Sequence, residues 1–104
     1  MKYTIKMLKR CSTRRITAMM LESQRWQRLA GFWIRPDGGA FHSSDPAVPN
    51  PAEDLNAMHD IERCIPSAQH RAYAVLLCAL CTQHPTWMAT ARERATAYLM
   101  MRFG

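Results

Sequence analysis

The chain has 104 residues and a mass of 12.0 kDa, which suits one domain and leaves no space for separate catalytic and regulatory units. Apolar residues make up 48% and charged residues 21%, a globular balance that excludes disorder along the whole length. A formal charge of +6 and a pI near 9.6 favour a polyanionic partner without naming one.

Residues 2–8 alternate weakly and read as a short strand or as part of a flexible basic arm over residues 1–11. Met19 and Met20 are candidate translation starts downstream of that leader. A first helix is expected from Ser12, whose hydroxyl caps the free amides of the next turn, to Gly31, a residue suited to a left-handed stop. Ile16, Met19, Met20 and Trp26 fall near one side of it while Arg14, Arg15, Arg25 and Arg28 crowd the others, which describes a basic amphipathic helix. Phe32 to Arg35 and Ala40 to Ser43 flank Pro36-Asp37-Gly38-Gly39, where proline presets the turn and glycine supplies positive φ, so a hairpin is expected there.

The stretch from Ser43 to Pro51 holds three prolines and no periodicity, and reads as an irregular connector. Asn50 is placed to cap a second helix, with Pro51 first and Glu53 completing a capping box. Leu55, Met58, Ile61 and Ile65 give that helix a stripe for burial, and Pro66 ends it. Ser67 to Thr82 contains YAVLLCALC, apolar on all sides, and is expected to be the central and most buried helix. After His84-Pro85, Thr90 and Glu93 form a capping box that opens a last helix running to Arg102. The architecture expected over residues 1–104 is a single α+β domain, mostly helical, with about four helices and one short hairpin.

Charge is distributed unevenly. Residues 1–35 carry nine Lys or Arg against Glu22, a balance of +8; residues 36–70 total −5 and residues 71–104 total +3. Lys2, Lys6, Lys9 and Arg10 interrupt every candidate export h-region, and the longest uncharged apolar run, Ala72 to Cys81, is far too short to span a bilayer. The expectation is therefore an intracellular protein, away from membranes, with its four cysteines reduced.

Cys78 and Cys81 form a Cys-x-x-Cys pair with His84 three residues on, and only Cys64 and His70 lie near enough in sequence to complete a zinc tetrahedron. Cysteine inside an apolar helix reads as a small hydrophobe, so neither metal nor cofactor is expected. Asn56, His59 and Asp60 invite a hydrolase reading, but no nucleophile motif, carboxylate cluster or phosphate loop accompanies them, and the chain reads as no enzyme. Trp26 beside Arg25 and Arg28, and Trp33 two residues from Arg35, combine a stacking face with cations as single strands require.

Two stretches, DLNAMHDIE at Asp54 to Glu62 and ATARERATAYL at Ala89 to Leu99, together resemble the C-terminal half of small uncharacterised phage and prophage proteins of the phage ABA-sandwich type. The resemblance covers roughly residues 50–104, and YAVLLCALC reads as helix where that family has a middle-layer strand. It implies a phage origin. Small phage proteins of this size without catalytic motifs include inhibitors of bacterial defence such as anti-CRISPR proteins, an analogy of class alone. The expected function is non-enzymatic inhibition of host defence by binding nucleic acid, single-stranded DNA foremost, through Arg14, Arg15, Arg25, Trp26, Arg28, Trp33 and Arg35. The alternatives are a protein-binding inhibitor that occludes a surface of a host nucleic-acid-processing complex, and a phage structural or assembly component.

Overall fold

The computed structural model describes residues 3–103. Its elements follow the order α1 (Ile5–Arg10), α2 (Thr13–Ser23), β1 (Gln27–Leu29), β2 (Phe32–Ile34), β3 (Ala40–His42), α3 (Leu55–Glu62), α4 (His70–Leu80) and α5 (Ala91–Phe103). The fold is α+β and helix-dominated, as expected. The part of the N-terminal reading that concerns Met1 and Lys2 lies outside the described residues.

The N-terminal leader is neither strand nor arm over its described length. The Thr4 hydroxyl accepts from the Met7 amide at 3.1 Å and starts α1, and Leu8 is fully buried in the core. Six residues are too few for a helix to persist alone, so α1 depends on packing against α5. Arg92 of α5 adds to this by donating to the Leu8 carbonyl at 3.2 Å, which also accepts from the Cys11 amide, and to the Cys11 carbonyl, so the end of α1 is tied to α5. Leu8 and Ile16 both precede Met19 and both lie in the core, so the leader is part of the packed domain.

Ser12 caps α2, accepting from the Arg15 amide at 3.2 Å. The helix stops at Ser23, eight residues before the expected glycine. Arg25 takes the left-handed conformation at φ 69°, while its amide reaches the Glu22 carbonyl and the Trp26 amide reaches the Leu21 carbonyl, each at 3.0 Å. These two bonds define a Schellman stop with arginine where glycine is usual. Gln27–Leu29 then forms a strand, and Ala30 (φ 48°) and Gly31 (φ 85°) make a two-residue turn with both φ positive, the type I′ pattern that matches strand twist. The expected hairpin of β2 and β3, closed by Pro36 to Gly39 with Gly38 at φ 99°, is thus extended to a three-stranded antiparallel sheet in the order β1-β2-β3.

The helix expected from Asn50 begins one turn later, with Asp54 accepting from the Asn56 amide at 2.9 Å. Asn50 does meet Glu53 (Nδ2 to Oε2, 2.9 Å), but its Oδ1 accepts from Thr17 at 2.6 Å, so it ties the connector to α2. Leu55, expected in the buried stripe, is exposed at the helix start, whereas Met58, Ile61 and Ile65 are buried.

The centre of the fold is α5. It packs against α1, α2, α3 and α4, and Ala91, Ala95, Thr96, Ala97, Tyr98 and Leu99 are buried along it. Alanine admits neighbouring helices closely, so a sequence of weak amphipathicity becomes the axis. The helix of YAVLLCALC was expected in that place. It buries only Tyr73 and Leu77 within α4, leaves Val75 and Cys78 exposed, and so packs as an outer helix. The capping box of Thr90 and Glu93 forms as expected, with reciprocal bonds of 2.9 and 3.1 Å.

Candidate nucleic-acid interface

The Arg and Trp residues expected on a long first helix and its hairpin fall on separate elements, because α2 ends at Ser23 and the chain turns at Arg25. Arg14 and Arg15 project from α2, Arg25 sits in the left-handed stop, Arg28 lies on β1, and Arg35 follows β2. Arg28 and Trp33 are cross-strand partners, with the guanidinium 5.6 Å from the indole centre. Trp33 is only 5% exposed, so it is a packing residue and offers no stacking face. Trp26 is half-buried, its ring 6.2 Å from Phe41. Strand alternation turns Leu29, Phe32 and His42 to the opposite side, where Phe32 is 45% exposed and stands edge-on to His42 at 5.5 Å.

The cations divide among three concave surfaces. Arg14, Arg28 and Trp33 line a groove of about 490 Å³ between α2, the sheet and the connector, but Asp45 and Glu53 line it too. Arg25 and Arg35 flank a smaller hollow with Pro36 and Gly38. There Arg35 is engaged internally: its Nε donates to Asp37 at 2.8 Å and its guanidinium lies 5.1 Å from the Phe41 ring. The Arg35 hydrogen bond, followed by the Gly39 amide, holds the Asp37 carboxyl below the usual carboxylate range.

The third surface is the corner of α1 and α2. Lys6, Arg10 and Arg15 converge there with Thr4, Met7, Cys11 and Ser12, and no acidic side chain lines it. Of these cations the sequence marks only Arg15 as a site residue, since Lys6 and Arg10 fall in the stretch it reads as strand or flexible arm. The absence of acids from the first turns of both helices is the signal that marks them, since helix N-termini ordinarily attract Asp and Glu. Among the described residues, Lys6, Lys9, Arg10, Arg14, Arg15, Arg25 and Arg28 are exposed and make no salt bridge.

Of Asn56, His59 and Asp60, the last two are engaged locally, while Asn56 is exposed. His59 Nδ1 meets Glu62 at 2.6 Å, and Asp60 pairs with Arg63 at 3.0 Å. Glu62 also accepts from the Tyr73 hydroxyl at 2.5 Å and from Arg94 at 3.0 Å. Burial by itself would raise the Glu62 carboxyl, but hydrogen bonds from Tyr73, His59 and Arg94 together hold it below its ordinary range. Burial and then the Glu62 hydrogen bond push the Tyr73 phenol far up. The sequence-based zinc set is not assembled: Cys64 and Cys78 are exposed, and His70 Nε2 lies 2.9 Å from the Ile65 carbonyl. Cys81 and His84 instead meet Glu93. Among the described residues no helix is long and apolar enough to cross a membrane. No protein family, curated protein or solved structure matches this chain.

Proposed function

We propose that this protein binds nucleic acid through the α1–α2 corner and its flanking cations, and that it serves a phage as a non-enzymatic inhibitor of host defence. The observation that carries the binding reading is the set of exposed basic side chains on residues 6–28 without salt bridges among the described residues, three of which share an acid-free concave surface. Free surface cations add little to stability, and phosphates release counterions on meeting them, which drives association. Single-stranded DNA is the favoured form because Phe32 offers an exposed ring on the outer sheet face, whereas Trp33 is buried and Trp26 half-buried. The phage and defence part of the proposal rests on the resemblance of Asp54 to Glu62 and Ala89 to Leu99.

A protein-binding inhibitor is the second reading, favoured by one observation. Trp87 and Met88, adjacent in the turn before α5, are large apolar residues left exposed, Trp87 at 77%, and contiguous apolar surface of this kind is where other proteins dock.

Fluorescence anisotropy with labelled single- and double-stranded oligonucleotides across salt concentrations separates the two. For a single strand each phosphate contact steepens the log-affinity against log-salt slope by about 0.7, so the triple variant Lys6→Ala, Arg10→Ala, Arg15→Ala should flatten it by about 2. Phe32→Ala should cost about 1 to 3 kcal/mol on single strands and little on duplex. No binding at low salt, or a slope untouched by the triple variant, rejects the nucleic-acid reading. A host protein captured from nuclease-treated lysate, and lost with Trp87→Ala, would establish the other.

A further inference from the structure

The Cys-x-x-Cys spacing suggests a pair, yet the two thiols lie in different surroundings. Cys78 is exposed on the outer side of α4, while Cys81 is the buried residue that closes the helix. Beyond it Pro85 adopts an extended conformation (φ −64°, ψ 154°) and leads into a short 3-10 turn, Thr86–Met88. This return brings the first turn of α5 back beside the end of α4. The result places Cys81 Sγ, an imidazole nitrogen of His84 and a carboxylate oxygen of Glu93 within 4.8 Å of one another.

We infer that Cys81, His84 and Glu93 form a binding site for a zinc-class divalent cation, separate from the nucleic-acid surface. Three considerations support it. The first is donor chemistry: one sulfur, one imidazole nitrogen and one carboxylate oxygen suit a borderline-soft ion, whereas magnesium and calcium require oxygen donors throughout. The second is charge. A thiolate and a carboxylate neutralise a divalent ion while the imidazole stays neutral, which suits a pocket where the His84 and Glu93 side chains are only 27% and 24% exposed.

The third is geometry. Tetrahedral zinc, with bonds of about 2.0 to 2.3 Å, sets donors roughly 3.3 to 3.8 Å apart. The present limit of 4.8 Å needs a small contraction, and the 2.9 Å between His84 Nε2 and Glu93 Oε1 a small opening. Glu93 is already oriented, because the Thr90 amide donates to its Oε1 at 2.9 Å. Three protein donors leave the fourth position open, as in zinc sites that hold water or substrate.

Cobalt(II) titration of the reduced protein tests the assignment, because a thiolate ligand gives a charge-transfer band and tetrahedral coordination gives strong visible d–d absorption. We expect both to saturate at one equivalent and to be displaced by zinc. Cys81→Ser should abolish the charge-transfer band and weaken binding by about tenfold or more, while Cys78→Ser leaves both unchanged. Glu93→Gln removes a donor and also loosens the α5 cap; Thr90→Ala loosens the same cap with every donor in place and should keep the spectrum. The inference is overturned by the absence of a charge-transfer band at one equivalent, by its survival in Cys81→Ser, or by its loss in Cys78→Ser.

Discussion

On α2, Arg14 and Arg15 stand in solvent without a salt bridge among the described residues, whereas on α5 Arg92 and Arg94 turn inward. Arg92 joins the end of α1 to the start of α2 by donating to the Leu8 and Cys11 carbonyls and, at 3.0 Å, to the Thr13 hydroxyl. Arg94 meets Glu62 with both side chains below one-fifth exposed, and its other nitrogens reach the carbonyls of Ala89, Thr86 and Trp87. One residue type therefore serves two ends in one small domain. A desolvated guanidinium must be fully bonded, and then it fixes the fold; a hydrated one contributes little to stability and is left available to a partner. The difference teaches that the positive charge of residues 6–28 is surface chemistry, while most of the positive charge of α5 is architecture.

The widest separation of the two groups should come from Arg94→Met against Arg15→Met. The first leaves Glu62 partly buried without its cation and should cost about 3 to 5 kcal/mol; the second should stay within about 0.5 kcal/mol. Urea melts measure both, and equal losses would end the distinction. Acid sharpens it. Glu62 and Glu93 are both held below the usual value of 4.5, in each case by hydrogen bonds that outweigh burial. Their stabilisation is complete above the unfolded value and is lost as pH falls through the lower folded values. The melting temperature should therefore drop below about pH 4.5, and Arg94→Met should lessen the drop, since its Glu62 is held down less.

A second contrast of similar kind lies between α5 and α4. Leu99 on α5 is completely buried, while Leu76 on α4 is only partly covered. Leu99→Ala should cost about 2 to 5 kcal/mol, enough to unfold a domain this small. Leu76→Ala should cost clearly less. A reversed order would return the core to α4.

Local chemistry was readable without the structure. Ser12, the Pro36 to Gly39 turn and the reciprocal bonds of Thr90 and Glu93 depend on side chains within three or four positions, and each forms where the sequence places it. Partnership between elements was not. YAVLLCALC is apolar all round, and that pattern cannot say which face α5 covers. Alanine and arginine along α5 hide its centrality, since small residues bury little area yet admit four neighbours. The charged corner was missed because Lys6 and Arg10 become a surface only once Leu8 anchors α1. The Cys81, His84 and Glu93 cluster depends on the turn at Pro85, which sets a residue nine positions from His84 beside it.

The end of α2 was misplaced for a reason that yields the smallest and most specific expectation. A Schellman stop needs a left-handed residue, glycine is the usual choice, and the sequence offers Gly31; the chain uses Arg25 instead. For a residue with a Cβ that conformation costs about 1 kcal/mol. Such a cost is tolerated when the side chain has another use, and Arg25 is exposed without a salt bridge among the described residues. Arg25→Gly should relieve the strain, and the greater freedom of glycine in the unfolded chain offsets part of the gain, leaving stability higher by a few tenths of a kcal/mol. The same change removes one cation and should lower the salt slope of single-strand binding by about 0.7. Arg25→Ala controls for it, since it removes the charge and keeps the strain. Stability that rises for glycine but not alanine, with the same slope loss in both, would place Arg25 among the partner-facing arginines; a glycine variant that binds as tightly as the parent would remove it from them.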